Sequence, residues 1–153
     1  MEMRRKDRAL SEEETKALLK GEEYGILSTI GPDGYPYGVP ISYAYDEEQG
    51  CVFMHCAKEV GHKYENILFS PKACLTIVGN TKVLPEKFST KYESVIATGT
   101  VELPEDKLPA LMALVKKYCP GLEEKGLTYA QKAQDTVTIL ALHIEELTGK
   151  ARK

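Results

Sequence analysis

Two histidines and two lysines lie close together in the segment from His55 to Lys63. The segment reads as the end of a strand, with Ala57 and Lys58, followed by a helix whose first turn carries His62 and Lys63. Free backbone N–H groups, the helix dipole and an ammonium charge together can hold a phosphate. We therefore interpret the segment as a phosphate site, and the alternative is a solvated helix end. The absence of a G-x-G-x-x-G or P-loop pattern argues against those two classes of nucleotide site.

The imidazole of His55 is a candidate acid, base or ligand contact, since the pKa of an unperturbed histidine is about 6.5. A histidine at this position can also simply cap a buried strand edge. A metal site built from His55, Cys56 and His62 would match no common zinc spacing, and we expect no metal site. His143 lies in an alternating, strand-like segment, which favours a surface position.

The run of residues 35–45 alternates bulky and small side chains. In a strand, this pattern places the bulky residues on one face and the small residues Pro36, Gly38, Pro40 and Ser42 on the other. A small face lets a flat ligand approach, and a strand that contains proline has an interrupted edge with free backbone groups. The alternative is that the small face packs under a helix or against a second subunit.

Hydroxyl side chains stand at the start of a later strand, among them Ser89, Tyr92 and Ser94. They are candidates for binding a ligand. Strand entrances also carry serine and threonine for local hydrogen bonds to the backbone, so the residue pattern leaves both interpretations open.

Short elements joined by tight turns are predicted in the first third of the chain, and they position the run at residues 35–45 and His55. Ser11 and Glu14 form a capping-box signature, which predicts a short helix over residues 11–20. Segments at residues 25–30, 35–45 and 51–56 have strand-like patterns and are separated by turns that contain Gly with Pro or Asp. They predict three consecutive strands in an antiparallel meander.

Helices and longer strands are predicted in the rest of the chain. Apolar residues at helical spacing after Glu59 predict a helix, and they are Val60, Tyr64, Ile67 and Leu68. Pro104 opens another helix, and strand-like segments lie at residues 71–79, 91–103 and 135–147. About six strands with short helices at the edges predict a mainly β, α+β domain or a β-barrel.

The length of 153 residues is typical of one domain, and we expect a single domain over residues 1–153. Hydrophobic residues make up 42% and charged residues 28%, as in a folded protein rather than a disordered one. The net charge of -3 gives no general attraction to nucleic acid or to an anionic membrane, so we expect neither as a partner.

The sequence contains no stretch approaching the roughly 18 apolar residues of a membrane span, and no apolar signal segment follows its basic N-terminus. We therefore expect a cytoplasmic protein. Its four cysteines lack the C-x-x-C spacing of redox and zinc motifs, and we expect reduced residues that mostly serve packing. Cys51 and Cys56 are expected on opposite faces of one strand.

Eight segments, in order along the chain, resemble one protein family. They are R-R-K-D-R at 4–8, G-I-L-S-T at 25–29, D-G-Y-P-Y-G-V-P-I-S-Y at 33–43, F-M-H-C-A at 53–57, G-H-K at 61–63, P-K-A-C at 71–74, F-S-T-K-Y-E-S-V at 88–95 and E-L-T-G-K at 146–150. Together they are similar to flavoproteins related to pyridoxamine 5′-phosphate oxidase, and most similar to the branch that contains the 5-nitroimidazole resistance proteins.

The resemblance implies a six-stranded antiparallel split β-barrel with short flanking helices. It implies a homodimer with FMN at the interface and a small-molecule substrate. It places the FMN phosphate near Lys58, His62 and Lys63, with backbone help from Ala57, in agreement with our interpretation of the residues themselves.

The resemblance also assigns the flavin ring and its surroundings. The isoalloxazine would lie along Val39, Pro40, Ile41 and Ser42. Contacts to the flavin of the partner subunit would come from Ser89, Thr90 and Tyr92. His55 matches the histidine of the family pattern and would be the catalytic residue beside the flavin.

Hypotheses from different functional classes follow. The first is an FMN-dependent, nitroreductase-like oxidoreductase that passes electrons to a small electron-poor acceptor, with His55 polarising or protonating that acceptor. The second is a non-catalytic protein that holds flavin or haem for storage, sensing or sequestration, with His55 or His143 as the axial ligand of a haem. A third is a dimeric scaffold with an empty cleft.

Overall fold

Residues 2–153 are described by a computed structural model, and within them lie four α-helices and seven strands. The helices are α1 (Glu12–Gly21), α2 (His62–Phe69), α3 (Leu108–Tyr118) and α4 (Glu123–Ala133). The strands are β1 (Tyr24–Ile30), β2 (Pro36–Ser42), β3 (Ala44–Asp46), β4 (Cys51–Ala57), β5 (Lys72–Leu84), β6 (Ser89–Glu102) and β7 (Val137–Arg152). No helix in this part of the chain is long and apolar enough to cross a membrane.

The seven strands form one antiparallel sheet in the order β2-β1-β5-β6-β7-β4-β3. β2 and β3 lie at the two ends of this order, yet only Tyr43 separates them along the chain. The sheet must therefore curl until its ends meet, and because β2 and β3 do not pair with each other, the barrel is split. The predicted mainly β class and the antiparallel split barrel with flanking helices are confirmed.

The number of strands and the connection of the first strands differ from the prediction. The run at residues 35–45 is two strands rather than one, because the backbone leaves the β1 ladder after Ser42 and enters the β4 ladder at Ala44. Both predicted hairpin pairings are present, β1 with β2 and β3 with β4, but they lie at opposite ends of the strand order, so the predicted continuous meander is wrong. β3 is thus the seventh strand where six were predicted.

Tyr43, the residue between β2 and β3, is fully buried and is tied to two helices. Its hydroxyl donates to the carbonyl of Leu19 in α1, and its backbone N–H donates to the Tyr118 hydroxyl at 2.9 Å. The Lys117 ammonium lies 3.6 Å from the Tyr43 ring centroid and donates to the carbonyls of Tyr43 and Glu22, at 2.9 and 2.6 Å. These contacts hold the two ends of the sheet against α1 and α3.

Hydrophobic clusters lie inside the barrel and beneath the C-terminal helices. β4 contributes to both, because Val52, Met54 and Cys56 belong to the barrel cluster, whereas Cys51 and Phe53 pack with residues of α3 and α4. Cys51 and Cys56 are buried free thiols on opposite faces of β4, as their spacing predicts. Full burial of each large apolar side chain contributes roughly 1.5–3 kcal/mol, so β4 is anchored from both sides.

The predicted start of α1 is confirmed, and α4 is a helix that the sequence did not predict. Ser11 Oγ accepts from the Glu14 N–H at 3.1 Å, and the Glu14 carboxylate accepts from the Ser11 N–H at 2.9 Å. In α4 only Ala130 is buried, so the helix lacks the broad apolar face by which a pattern is recognised.

The predicted apolar face of α2 is partly wrong. The helix begins at His62 rather than at Glu59, because Glu59 and Gly61 have positive φ angles of 48° and 105°, which no α-helix accommodates. Val60 therefore lies outside the helix and is exposed, and Leu68 within it is exposed as well.

Candidate functional site

The small-residue face of β2 is exposed, as its alternation predicts. Side chains alternate along the strand, with Pro36, Gly38, Pro40 and Ser42 exposed and the residues between them partly buried. Val39 and Ile41 pack on the barrel core, so the strand is fixed from its bulky side. β2 pairs with β1 alone, which leaves its other edge open for the groups of a ligand.

The start of α2 lies directly beside β2. The imidazole of His62 stacks on the phenol ring of Tyr37, with ring centroids 3.9 Å apart and an interplanar angle of 26°. This contact brings the predicted phosphate residues next to β2, on the side of its bulky residues. Tyr37 belongs to the bulky positions of the run at residues 35–45, and no local pattern pairs it with a helix that begins 25 residues later.

The backbone before α2 determines which amides remain free. The Lys58 N–H donates to the Thr136 carbonyl at 3.1 Å, and the Glu59 N–H donates to Thr138 Oγ1 at 2.9 Å, both in the segment that leads into β7. Gly61, at the N-cap of α2, offers no side chain to the helix amides, so the first N–H groups of α2 have no intrahelical partner. The amides available to a ligand are therefore those at the start of α2 rather than those of Lys58 and Glu59.

The charged groups at this helix start are arranged around Lys63. His62 and Lys63 occupy the first two positions of α2, while Ala57 and Lys58 lie exposed at the end of β4 and just beyond it. Lys63 is half-buried, and its ammonium helps to lower the pKa of His55. Glu65 is the one acid in this helical turn. A cation, a helix dipole and free amides together favour an anion here.

His55 presents an imidazole with no hydrogen-bond partner among residues 2–153. Its side chain is exposed on β4 between the buried Met54 and Cys56. Partial burial of the ring, and then the Lys63 ammonium, lower the pKa of His55 below its ordinary value. The imidazole is therefore neutral at pH 7 and can donate or accept a hydrogen bond.

The remaining predicted residues lie elsewhere in the chain. Ser89, Thr90 and Tyr92 lie at the start of β6. In the sheet, β6 is separated from β2 by β1 and β5, and from β4 by β7. Tyr92 interacts with Lys150 and Arg8 instead. One chain thus assembles β2, His55 and the start of α2, and contact of the β6 residues with a partner subunit's flavin stays a prediction.

This arrangement suits a flat molecule that carries a phosphate. The small face of β2 and its open edge can receive a ring and its polar groups, while the start of α2 can hold the phosphate. The residues present therefore fit FMN. Within residues 2–153 no group of three or more histidine, cysteine, aspartate or glutamate side chains is arranged to hold a metal ion.

Solved structures share this fold at low sequence identity. A protein of Bacteroides thetaiotaomicron assigned by name to 5-nitroimidazole antibiotic resistance matches with a TM-score of 0.78 at 20% identity, over 94% of this chain and 86% of that one. A flavocytochrome of Azotobacter vinelandii matches with a TM-score of 0.78 at 20% identity, over 99% and 72%. The FAD and haem binding protein of Mycobacterium smegmatis matches with a TM-score of 0.74 at 21% identity, over 94% and 72%. At these identities the matches establish the fold alone.

Sequence comparison identifies the family. The 5a,11a-dehydrotetracycline/5a,11a-dehydrooxytetracycline reductase of Streptomyces rimosus subsp. rimosus is 30% identical over 61 residues. That match spans 39% of this chain and 42% of the reductase, so less than half of the relative's length is covered. The family model for pyridoxamine 5′-phosphate oxidase matches residues 11–151, nearly the whole chain. The chain belongs to the pyridoxamine 5′-phosphate oxidase family.

Proposed function

We propose that this chain is an FMN-dependent oxidoreductase that acts as a cytoplasmic homodimer and reduces a small, electron-poor acceptor such as a nitroaromatic compound. The observation that carries the proposal is the start of α2, where free N–H groups, His62 and Lys63 lie against Tyr37 of β2, the strand that has an open edge and a small exposed face. A phosphate and a flat ring are the two parts of FMN that such a surface would hold. Family membership and the flavin in the names of two fold neighbours support it.

The proposed roles divide between the phosphate and the ring. The FMN phosphate is held by Lys58, His62, Lys63 and the amides at the start of α2, close to Ala57. The isoalloxazine lies along Val39, Pro40, Ile41 and Ser42. Bound FMN supplies the electron transfer, while the protein supplies position and electrostatics.

A second copy of the chain is proposed to complete the site, because in one chain the β2 surface is open. Large apolar side chains stand exposed on β5, on β6 and in the turn between them, where Val78 is 55%, Val83 68%, Phe88 97% and Ile96 46% exposed. Exposed apolar groups in this number favour docking of a partner. Ser89, Thr90 and Tyr92 follow Phe88 directly, so docking here would bring them to the partner's flavin.

Reconstitution with FMN tests the proposal directly. We expect the purified protein to bind FMN, to retain a yellow colour after gel filtration with absorbance at about 450 nm, and to elute as a dimer. Failure to bind FMN would leave an empty scaffold and would contradict the proposal. A Soret band in the purified protein would support a haem protein instead.

The structure favours one of the two candidate histidines as the axial ligand of a haem. The His143 Nε2 atom lies 2.6 Å from Glu102 Oε2, so this imidazole is already engaged. His55 has no such partner and is the available axial ligand. If the protein binds haem through His55, replacement of His55 by alanine would remove the Soret band. If the protein binds FMN, the same variant would retain the flavin.

We expect His55→Ala to retain FMN while slowing reduction of the acceptor by about a hundredfold, the usual contribution of a positioned proton donor. The neutral imidazole would donate a hydrogen bond to the acceptor rather than carry charge. Anaerobic photoreduction of the FMN-loaded protein, followed by mixing with a nitroaromatic acceptor, measures the rate of flavin reoxidation.

The matched control is His55→Gln, which keeps a hydrogen-bond donor but does not titrate. Partial rescue of the rate by glutamine would assign His55 to polarising the acceptor, and no rescue would assign it to proton transfer. Release of FMN from His55→Ala would instead make this residue a cofactor contact.

A further inference from the structure

Four side chains from the N-terminal segment, the start of β6 and the end of β7 form a basic cluster, which we call the Tyr92 cluster: Arg8, Tyr92, Lys150 and Arg152. Tyr92 on β6 is directly opposite Arg152 on β7, and the next pair on the same face is Ser94 with Lys150. The Lys150 ammonium lies 5.7 Å from the centroid of the Tyr92 ring. β6 and β7 therefore present two cations and a phenol on one face of the sheet.

The N-terminal segment adds the third cation. Ala9 forms a β-bridge with Lys150, and the N–H of Leu10 donates to the Gly149 carbonyl at 3.0 Å. These bonds hold Arg8, at the end of a short 3-10 turn (Lys6–Arg8), over the β7 end of the sheet. Hydrogen bonding from Lys150, and then from Arg8, lowers the pKa of the Tyr92 phenol, as expected where positive charge gathers around its oxygen.

No carboxylate among the described residues lies within 4.0 Å of Arg8, Lys150 or Arg152. Two acids of neighbouring segments have other partners. Asp7 accepts from Arg5 Nε at 2.8 Å. On the other face of the sheet, Lys153 donates to Glu14 at 2.8 Å. Arg5 and then Arg8 lower the pKa of the Asp7 carboxyl, so these two arginines share one acid. Lys150 and Arg152 have no carboxylate within 4.0 Å among the described residues, and this excess of positive charge favours an anionic ligand.

A cleft of about 330 Å³ lies beside this cluster and has Lys150 in its wall. Its lining combines the hydroxyl groups of Ser94, Thr98 and Thr148 with Ile96, Met3 and Glu2, and Glu146 lies at the end away from Tyr92. A volume of this size admits a small ligand. The cleft thus offers a cationic end for an acidic group and a mixed surface for a neutral body.

We propose that the Tyr92 cluster binds a phosphate or diphosphate group. Arginine binds phosphate oxygens through paired N–H donors, and lysine contributes a point charge. The tyrosine hydroxyl can donate a further hydrogen bond. The group has two possible sources: a separate phosphorylated ligand in the cleft, or the diphosphate of FAD. The second source rests on the proposed function, since it requires a flavin bound across the dimer.

The test uses the purified full chain with ADP as probe, with and without FMN, by titration calorimetry at low ionic strength. We expect Arg8→Gln and Lys150→Gln each to weaken ADP binding by about tenfold, the usual effect of losing one charged hydrogen bond. Lys150→Arg should retain the affinity because it keeps the charge. Lys91→Gln is the matched control, since Lys91 is adjacent to Tyr92 on β6 but points to the opposite face.

A second arm compares FAD with FMN in the same variants. Weaker FAD binding with unchanged FMN binding would assign the cluster to the cofactor's diphosphate, whereas weaker ADP binding alone would assign it to a separate ligand. Equal ADP and FAD affinities in parent, variants and control would overturn the proposal. The ADP arm without flavin needs no flavin site, so failure of the proposed function and failure of this inference are separately visible.

Discussion

Lys63→Ala is expected to weaken FMN binding by about tenfold to a hundredfold, and by clearly more than Lys58→Ala. Loss of a charge-assisted hydrogen bond to phosphate costs about 1.5–3 kcal/mol, which corresponds to this range. Lys63 lies in the first turn of α2, half-buried beside His55 and next to the free amides. Fluorescence titration of FMN at two salt concentrations gives both affinities and their dependence on charge.

The difference between the two lysines follows from their surroundings. Lys58 is exposed and its backbone N–H donates to the Thr136 carbonyl, so this residue can offer a phosphate only a solvent-exposed ammonium. We expect a loss of about threefold for Lys58→Ala, in the range of an exposed charge. Lys91→Ala, on β6, serves as the control for a lost surface charge. Equal affinities of parent, Lys58→Ala and Lys63→Ala would refute the phosphate placement.

Tyr43→Ala is expected to lower the free energy of unfolding by about 3–5 kcal/mol, the usual cost of truncating a buried aromatic residue. The substitution removes the ring beneath the Lys117 ammonium and the hydroxyl bound to Leu19. It also loosens the point at which β2 and β3 meet. Urea unfolding followed by circular dichroism measures the change, with a constant m-value as the check on two-state behaviour.

Two further variants separate packing from hydrogen bonding at this junction. Tyr43→Phe keeps the ring but leaves the Leu19 carbonyl without its donor, and we expect a loss of about 1–3 kcal/mol. Tyr129→Ala removes a tyrosine that is 72% exposed, and its effect should stay within about 0.5 kcal/mol. A stability of Tyr43→Ala close to that of the parent would show that the contacts of Tyr43 do not hold the sheet ends together.

Local patterns in the sequence predicted the elements that carry the site. The capping box of Ser11 and Glu14, the alternation along residues 36–42 and the strand-to-helix change after His55 each depend on neighbouring residues only. Such patterns survive folding because the side-chain period of a strand and the caps of a helix are local properties. The small exposed face of β2 and the cations at the start of α2 therefore agree with the structure.

The error at residues 35–45 arose where a distant contact overrides a local pattern. The alternation continues through Tyr43 without interruption, so nothing local marks the end of a strand. The strand ends there because Tyr43 is bound by Leu19, Lys117 and Tyr118, which belong to two helices far apart in sequence. Such a break depends on packing between elements that are distant in sequence, and a local periodic pattern does not encode that packing.

The sequence by itself determined the family motifs, the antiparallel β class and the residue types of the site, since motifs and periodicity are read one segment at a time. Only the tertiary structure decided that His62 stacks on Tyr37, that β2 and β4 do not pair, and that Arg8, Lys150 and Arg152 gather around Tyr92. These juxtapositions join segments that are far apart in the chain. Which segments come into contact is determined by closure of the barrel, and closure depends on the pairing of all the strands together.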